Sequence, residues 1–141
     1  MIVLDTNVLS ELTKRDSDPN VVDWFGVGNT DEFWITSTTI SELLLGVARM
    51  PEGQRHDTLK EHYTRIFAVF EGRTLSFESH SAEIFAELVA DRFNRGRPIS
   101  REDAQIAASC LATGAALATR NAKVFDETPG LTVINPWKAA G

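Results

Sequence analysis

Along this chain, short apolar runs alternate with longer stretches of helical periodicity. Ile2-Val3-Leu4 reads as a short buried strand, and 6–14 as a helix with Val8, Leu9 and Leu12 in its apolar pattern. "DSDPN" (16–20) is a turn leading into a second helix around 20–27, which carries Val21, Val22, Trp24 and Phe25. "FWITS" (33–37) predicts the second strand. Ile40, Leu43, Leu44 and Val47 place a helix over 39–50, broken by "MPEG". Leu59, Tyr63, Ile66, Phe67 and Phe70 share one face of a long helix over 54–70. "RTLSF" (73–77) predicts a third strand. Ile84, Phe85, Leu88, Val89 and Phe93 stripe a helix over 80–94, which "GRPIS" ends. Residues 101–113 form the next helix, closed by Gly114 in a C-terminal cap role. "AALAT" (115–119) and "LTVIN" (131–135) are strands four and five, the last stopped by Pro136.

Short apolar strands alternating with helices predict a parallel sheet covered on both faces. No repeat or long linker interrupts the pattern, so one domain over 1–141 is expected. Ligands of such sheets bind beyond the carboxyl ends of the strands. The residues just after each strand therefore matter most.

Composition narrows the setting. No run approaches the roughly 20 apolar residues of a membrane span, and no basic region precedes an apolar run as in a signal peptide. The single cysteine, Cys110, excludes an internal disulfide and a cysteine metal cluster. A reducing, cytoplasmic setting is expected. The net charge of -6 argues against nucleic-acid binding through a broad basic face. It is compatible with a nucleic-acid enzyme whose locally acidic site holds cations, and with a basic protein partner.

Asp5 comes directly after strand one, Glu42 lies just after strand two, and Asp103 opens the helix before strand four. Asn121 comes just after the turn that ends strand four. Each has an ordinary explanation. Asp5 is a good helix N-cap. Thr39-Ile40-Ser41-Glu42 fits a capping box, and at about 100° per residue Glu42 projects away from the apolar stripe of its helix. Asn121 suits a turn, and Asp126 and Glu127 read as solvated loop residues. Asp103 is different. It shares a face with Ile106, Ala107 and Cys110, where an unpaired acid is costly. Together, three carboxylates and an amide converge on one edge of the predicted sheet. Their mutual repulsion is relieved by a divalent cation, and hard oxygen donors with few histidines favour Mg²⁺ or Mn²⁺ over Zn²⁺.

"MIVLDTNVLSEL", "TSTTISELLLGV", "SREDAQIAASCLATGAALATRN" and "LTVINPW" resemble, in order and spacing, the four signature segments of PIN-domain proteins. The likeness lies with toxins of the VapC type, including the FitB-like branch, and spans nearly the whole chain. It implies a three-layer α/β/α sandwich with a five-stranded parallel sheet. It implies a Mg²⁺- or Mn²⁺-dependent endoribonuclease, the toxin of a type II pair, forming a homodimer bound by a cognate VapB-like antitoxin. Asp5, Glu42 and Asp103 would be the acidic cluster, with Asp5 and Asp103 the principal metal ligands. Asn121 stands where many relatives carry a further acid.

For RNA hydrolysis, Glu42 would orient a water or act as base. Thr6, Asn7, Thr119 and Asn121 would form the supporting hydrogen bonds. Arg92, Arg95, Arg97, Arg101, Arg120 and Lys123 flank the cluster in sequence. They read equally as phosphate contacts and as ordinary solvated cations. His56, His62 and His80 read as surface residues. Ser10 and Ser41 lack partners for serine catalysis. Trp24, Phe25 and Trp34 read as core. A haloacid-dehalogenase-like site wants a second Asp where Asn7 stands. A non-catalytic RNA- or protein-binding module on the same scaffold is the other reading, and the acidic trio speaks against it.

Overall fold

The computed structural model describes residues 1–138; positions 139–141 of the expected domain lie outside the described residues. Five strands form one parallel sheet: β1 (Ile2–Leu4), β2 (Phe33–Thr36), β3 (Thr74–Leu75), β4 (Ala116–Ala118) and β5 (Val133–Ile134). Their order is β3-β2-β1-β4-β5. β1 is central and pairs on one side with β2 (Ile2 opposite Phe33) and on the other with β4 (Leu4 opposite Ala118). The chain runs outward from β1 through β2 and β3, then returns to the other side of β1 as β4, so the crevice of such a fold opens above the carboxyl ends of β1 and β4.

Among the described residues, seven helices cover the sheet: α1 (Thr6–Leu12), α2 (Pro19–Val27), α3 (Ser37–Ala48), α4 (Gln54–Val69), α5 (Ser79–Asn94), α6 (Arg101–Thr113) and α7 (Ala122–Phe125). Alternation along β1 divides the core in two. Leu4 joins Ile35, Val8, Leu9, Leu43, Val47 and Tyr63 beneath α1–α4. Val3 faces the other way, onto Leu88, Ala104, Ile106, Ala107, Cys110 and Phe125 from α5–α7. The α/β/α sandwich and its five-stranded parallel sheet are thus as expected. Trp24, Phe25 and Trp34 pack against these cores, as read from sequence.

β1 has its expected bounds, and the other four strands are shorter than the runs that predict them. Phe33–Thr36 is the longest at four residues; Thr36 still pairs with Leu75 of β3 while its side chain caps α3, so the strand ends there. A 3-10 turn at Thr30–Glu32 and the single-turn α7 are additions that the periodicity, too short in both places, does not show. Gly114 closes α6 as predicted, at φ 75°, a left-handed conformation suited to glycine. Among the described residues, no helix is long and apolar enough to cross a membrane.

Candidate active site

Three acids reach the same end of the sheet by different routes. The Asp5 N–H donates to the Ala118 carbonyl at 2.9 Å, extending the β1–β4 ladder one residue past Leu4. There the chain turns, and Asp5 caps α1, its Oδ1 accepting the Thr6 N–H at 2.7 Å. Oδ2 accepts the Thr119 hydroxyl at 2.7 Å and the Asn7 amide at 3.4 Å. Asp5 is therefore both a helix cap and a buried member of the cluster, only 4% exposed.

Glu42 corrects the capping-box reading. α3 begins at Ser37, two residues earlier than expected, because the Thr36 hydroxyl accepts the Thr39 N–H at 3.1 Å. Glu42 accordingly stands in the second turn and caps nothing. Its Oε1 accepts the Thr6 hydroxyl at 2.9 Å. Thr6 has one proton to give, so it must accept from the Thr39 hydroxyl at 3.0 Å, and Thr39 in turn accepts from Thr36 at 3.3 Å. Every hydroxyl in this row donates toward Glu42. Sequence reasoning missed Thr36 and Thr39; the run of hydroxyls Thr36-Ser37-Thr38-Thr39 between strand and helix was the available signal.

Asp103 is the third residue of α6, and its N–H donates to the capping Ser100 hydroxyl at 3.1 Å. It is half-buried, while Ile106, Ala107 and Cys110 on its side of the helix are fully buried, as the helical-face argument requires. Asn121 joins differently from expectation. Its backbone N–H donates to the Thr119 hydroxyl at 3.1 Å, whereas its exposed side chain makes no hydrogen bond among the described residues.

Burial and proximity shift all three carboxyls above the usual range. For Asp5 burial is the main cause, partly offset by the Thr119 and Thr6 hydrogen bonds and reinforced by the Asp103 charge. For Glu42 burial again leads, opposed by the Thr6 hydroxyl and aided by Asp5, Asp103 and Glu102. For Asp103 burial leads, opposed by Ser100 and aided by Glu102. Burial also pushes the Cys110 thiol up to about 12, so it stays protonated and inert at neutral pH.

The PIN domain pattern matches residues 2–131. The chain belongs to the PIN domain family. Among PIN-domain relatives, the plasmid stability protein StbB of Pseudomonas syringae pv. tomato is 40% identical over 140 residues, covering 99% of this chain and 100% of its own length. VapC ribonuclease Y4jK of Sinorhizobium fredii is 36% identical over 141 residues, covering 99% and 100%. Toxin FitB of Neisseria gonorrhoeae is 33% identical over 138 residues, covering 97% and 99%. The solved structure of FitAB bound to an IR36 DNA fragment has a TM-score of 0.91 at 31% identity, covering 100% of this PIN domain chain and 99% of that one. The likeness read from the four sequence segments is borne out.

Of the six flanking cations, the PIN fold removes three from the phosphate-binding reading. Arg92 is buried; its Nε donates to the Arg97 carbonyl at 2.8 Å and its Nη1 to the Val124 carbonyl at 2.9 Å. Arg95 pairs with Asp91 at 2.8 Å and donates to the Glu127 carbonyl at 3.0 Å. Arg97 pairs with the Glu127 carboxylate, which is therefore no free loop acid. These arginines clamp α7 and the segment after it onto the end of α5.

The donors at the site are hard oxygens. Among the described residues no three His, Cys, Asp or Glu side chains gather closely enough to hold one ion jointly. Mg²⁺ does not need three, since it keeps several waters and takes one or two carboxylates with substrate phosphate. Asp5, which feels the charge of Asp103, and Asp103 itself offer two carboxylates of this kind, and such hard oxygen donors fit Mg²⁺ or Mn²⁺.

The raised carboxyls have a consequence for stability. A carboxyl raised in the folded state binds protons more tightly there than when unfolded. The stability it allows is complete below the ordinary carboxylate range and declines as pH rises through the raised value. Without divalent cation, Asp103→Asn should therefore melt about 2–4 °C above the wild type at pH 7.5, after discounting for the partial exposure of Asp103. The gain should shrink at pH 4. Thermal denaturation at both pH values checks this; a variant melting lower than wild type at pH 7.5 would contradict the repulsion.

Proposed function

We propose that this PIN-domain chain is the toxin of a type II toxin–antitoxin pair. In this reading it is a Mg²⁺- or Mn²⁺-dependent endoribonuclease, a homodimer silenced by a cognate antitoxin. The observation that carries the proposal is the trio of acids at one end of the sheet. All three carboxyls lie above the usual range, with the Asp103 charge acting on Asp5 and both acting on Glu42. The names of the relatives support it: one is a VapC ribonuclease and one a toxin.

Asp5 and Asp103 would hold the cation. A bound Mg²⁺ or Mn²⁺ supplies positive charge to the phosphate under attack and makes water more acidic. The chain supplies the orientation. Both Asp5 oxygens are anchored, by Thr6 on one side and by Thr119 and Asn7 on the other, so the carboxylate cannot rotate. Glu42 is held by Oε1 alone. Its Oε2, without a hydrogen bond among the described residues, is the atom free to take a proton from the attacking water. The raised Glu42 carboxyl makes it a better base than an ordinary glutamate.

The test uses purified protein and single-stranded RNA. Cleavage is expected with Mg²⁺ or Mn²⁺ and is expected to stop on chelation. Glu42→Gln should slow the chemical step by about 10²-fold at saturating RNA, the scale of a positioned base. Equal cutting in the presence of chelator would sink the metal mechanism, and no cutting of any RNA would sink the nuclease reading.

A further inference from the structure

We infer that Arg120, held over the ring of Trp137, is the residue that grips an RNA phosphate beside the acid cluster. The inference rests on the nuclease reading for its substrate, but its geometry stands independently.

An acidic protein that handles RNA must bring the strand to its carboxylates with few cations. Arg92, Arg95 and Arg97 are already committed to carbonyls, Asp91 and Glu127. Arg101, Arg120 and Lys123 are exposed and have no carboxylate within ion-pair distance among the described residues. Of these, only Arg120 has its guanidinium placed on an aromatic ring. It lies over Trp137, 5.3 Å from the ring centroid.

Both partners of the stack are fixed. The Arg120 N–H donates to Asn7 Oδ1 at 3.2 Å, and the same Asn7 side chain donates to Asp5 and to Thr119. The backbone of Arg120 is thus tied, through one side chain, to the Asp5 carboxylate. Trp137 packs on the core; its N–H donates to Asn135 Oδ1 at 3.0 Å, and its carbonyl accepts the Asn20 amide at 2.9 Å. Glu11 feels the charge of Arg120, but its own partners are the Asp18 N–H and Lys14.

Arg120 is exposed and its side chain donates no hydrogen bond among the described residues, so the planar fork of N–H donors is open to a ligand. That fork matches two oxygens of a phosphate. A lysine here would keep the charge and lose both the platform and the fork. Arg120 would act on binding, with the chemistry left to the acids.

The experiment measures binding of a fluorescein-labelled 12-nucleotide single-stranded RNA to the full chain, with Asp103→Asn as background to prevent cutting. Arg120→Gln should weaken binding about tenfold and reduce the slope of log Kd against log salt by about 0.7, the share of one single-strand phosphate. Arg120→Lys should keep most of the slope and lose affinity. Lys60→Gln, a remote exposed cation on α4, is the control for net charge. The inference is overturned if Arg120→Gln matches Lys60→Gln in affinity and slope. It is equally overturned if Arg120→Gln leaves RNA binding intact and weakens only a protein complex. A chain that binds RNA through Arg120 yet cuts none would refute the nuclease reading and leave this one standing. Melting curves of each variant confirm that losses come from the folded protein.

Discussion

Asp5→Asn is expected to lower RNA cleavage by about 10²–10⁴-fold, the range for losing a positioned catalytic group, with little loss of fold. The substitution keeps the shape of the side chain and removes its charge. Oδ1 can still accept the Thr6 N–H, so α1 keeps its cap. The new amide must face Thr119, whose hydroxyl already accepts from Asn7 and from the Asn121 N–H. That mismatch costs about 1 kcal/mol. Relief of a buried charge held 4% exposed acts in the other direction. Activity and stability should therefore separate. Thr119→Val makes the complementary case, since the charge stays and its orientation loosens; a loss of about 10–100-fold is expected. Single-turnover rates with Mg²⁺ beside melting curves check both. An Asp5→Asn protein that keeps a tenth of the wild-type rate would remove Asp5 from the chemistry.

Phe33→Ala is expected to cost about 3–5 kcal/mol, or about 10–15 °C in melting temperature. Phe33 begins β2 and is 2% exposed. Its ring stacks on Phe25 at 5.0 Å between centroids with 16° between planes, and leans on Trp24 at 5.1 Å. It also fills the space beside Gly28, where a side-chain carbon would meet the ring at 2.5 Å. The truncation leaves a cavity between α2 and the sheet that the two stiff aromatic neighbours cannot collapse to fill. Phe93, 75% exposed on α5, is the contrast; its change to alanine should stay within about 0.5 kcal/mol. Urea denaturation decides: the midpoint should fall for Phe33→Ala with the slope unchanged, and a fall of under 1 kcal/mol would mean the stack is not a structural centre.

Where the chain repeats a pattern over several turns, structure was legible from sequence. α5 and α6 fall close to their stripes, and Gly114 caps where expected. Boundaries set by single hydrogen bonds were not. The start of α3 depends on whether the Thr36 or the Thr39 hydroxyl serves as cap, and both belong to one polar run. Asp103 could be assigned to the site because a lone acid among Ile106, Ala107 and Cys110 is energetically conspicuous. Glu42 taken alone could not, and joined the cluster only in the company of the other acids and by the PIN resemblance, because its partner, Thr6, is 36 positions away and comes near only through β1 pairing with β2. The arginines were ambiguous for the same reason: Glu127, which takes Arg97 and Arg95, lies 30 and 32 positions further on. Strand order, which carries all these meetings, is a property of the whole sheet, and no local window contains it.

The pairing of β1 with β4 has a consequence for how the protein is made. Asp5 is held by a ladder bond to Ala118 and by the Thr119 hydroxyl, both near the far end of the chain. During synthesis, Asp5 and Glu42 emerge long before Asp103, and before the strand that would fix Asp5. Contacts so distant in sequence form late, after the intervening segments have closed their loops. A nascent chain therefore carries the acids without the site. If this protein attacks RNA, the ribosome translating it is spared until the last third of the chain has been released and has docked against β1.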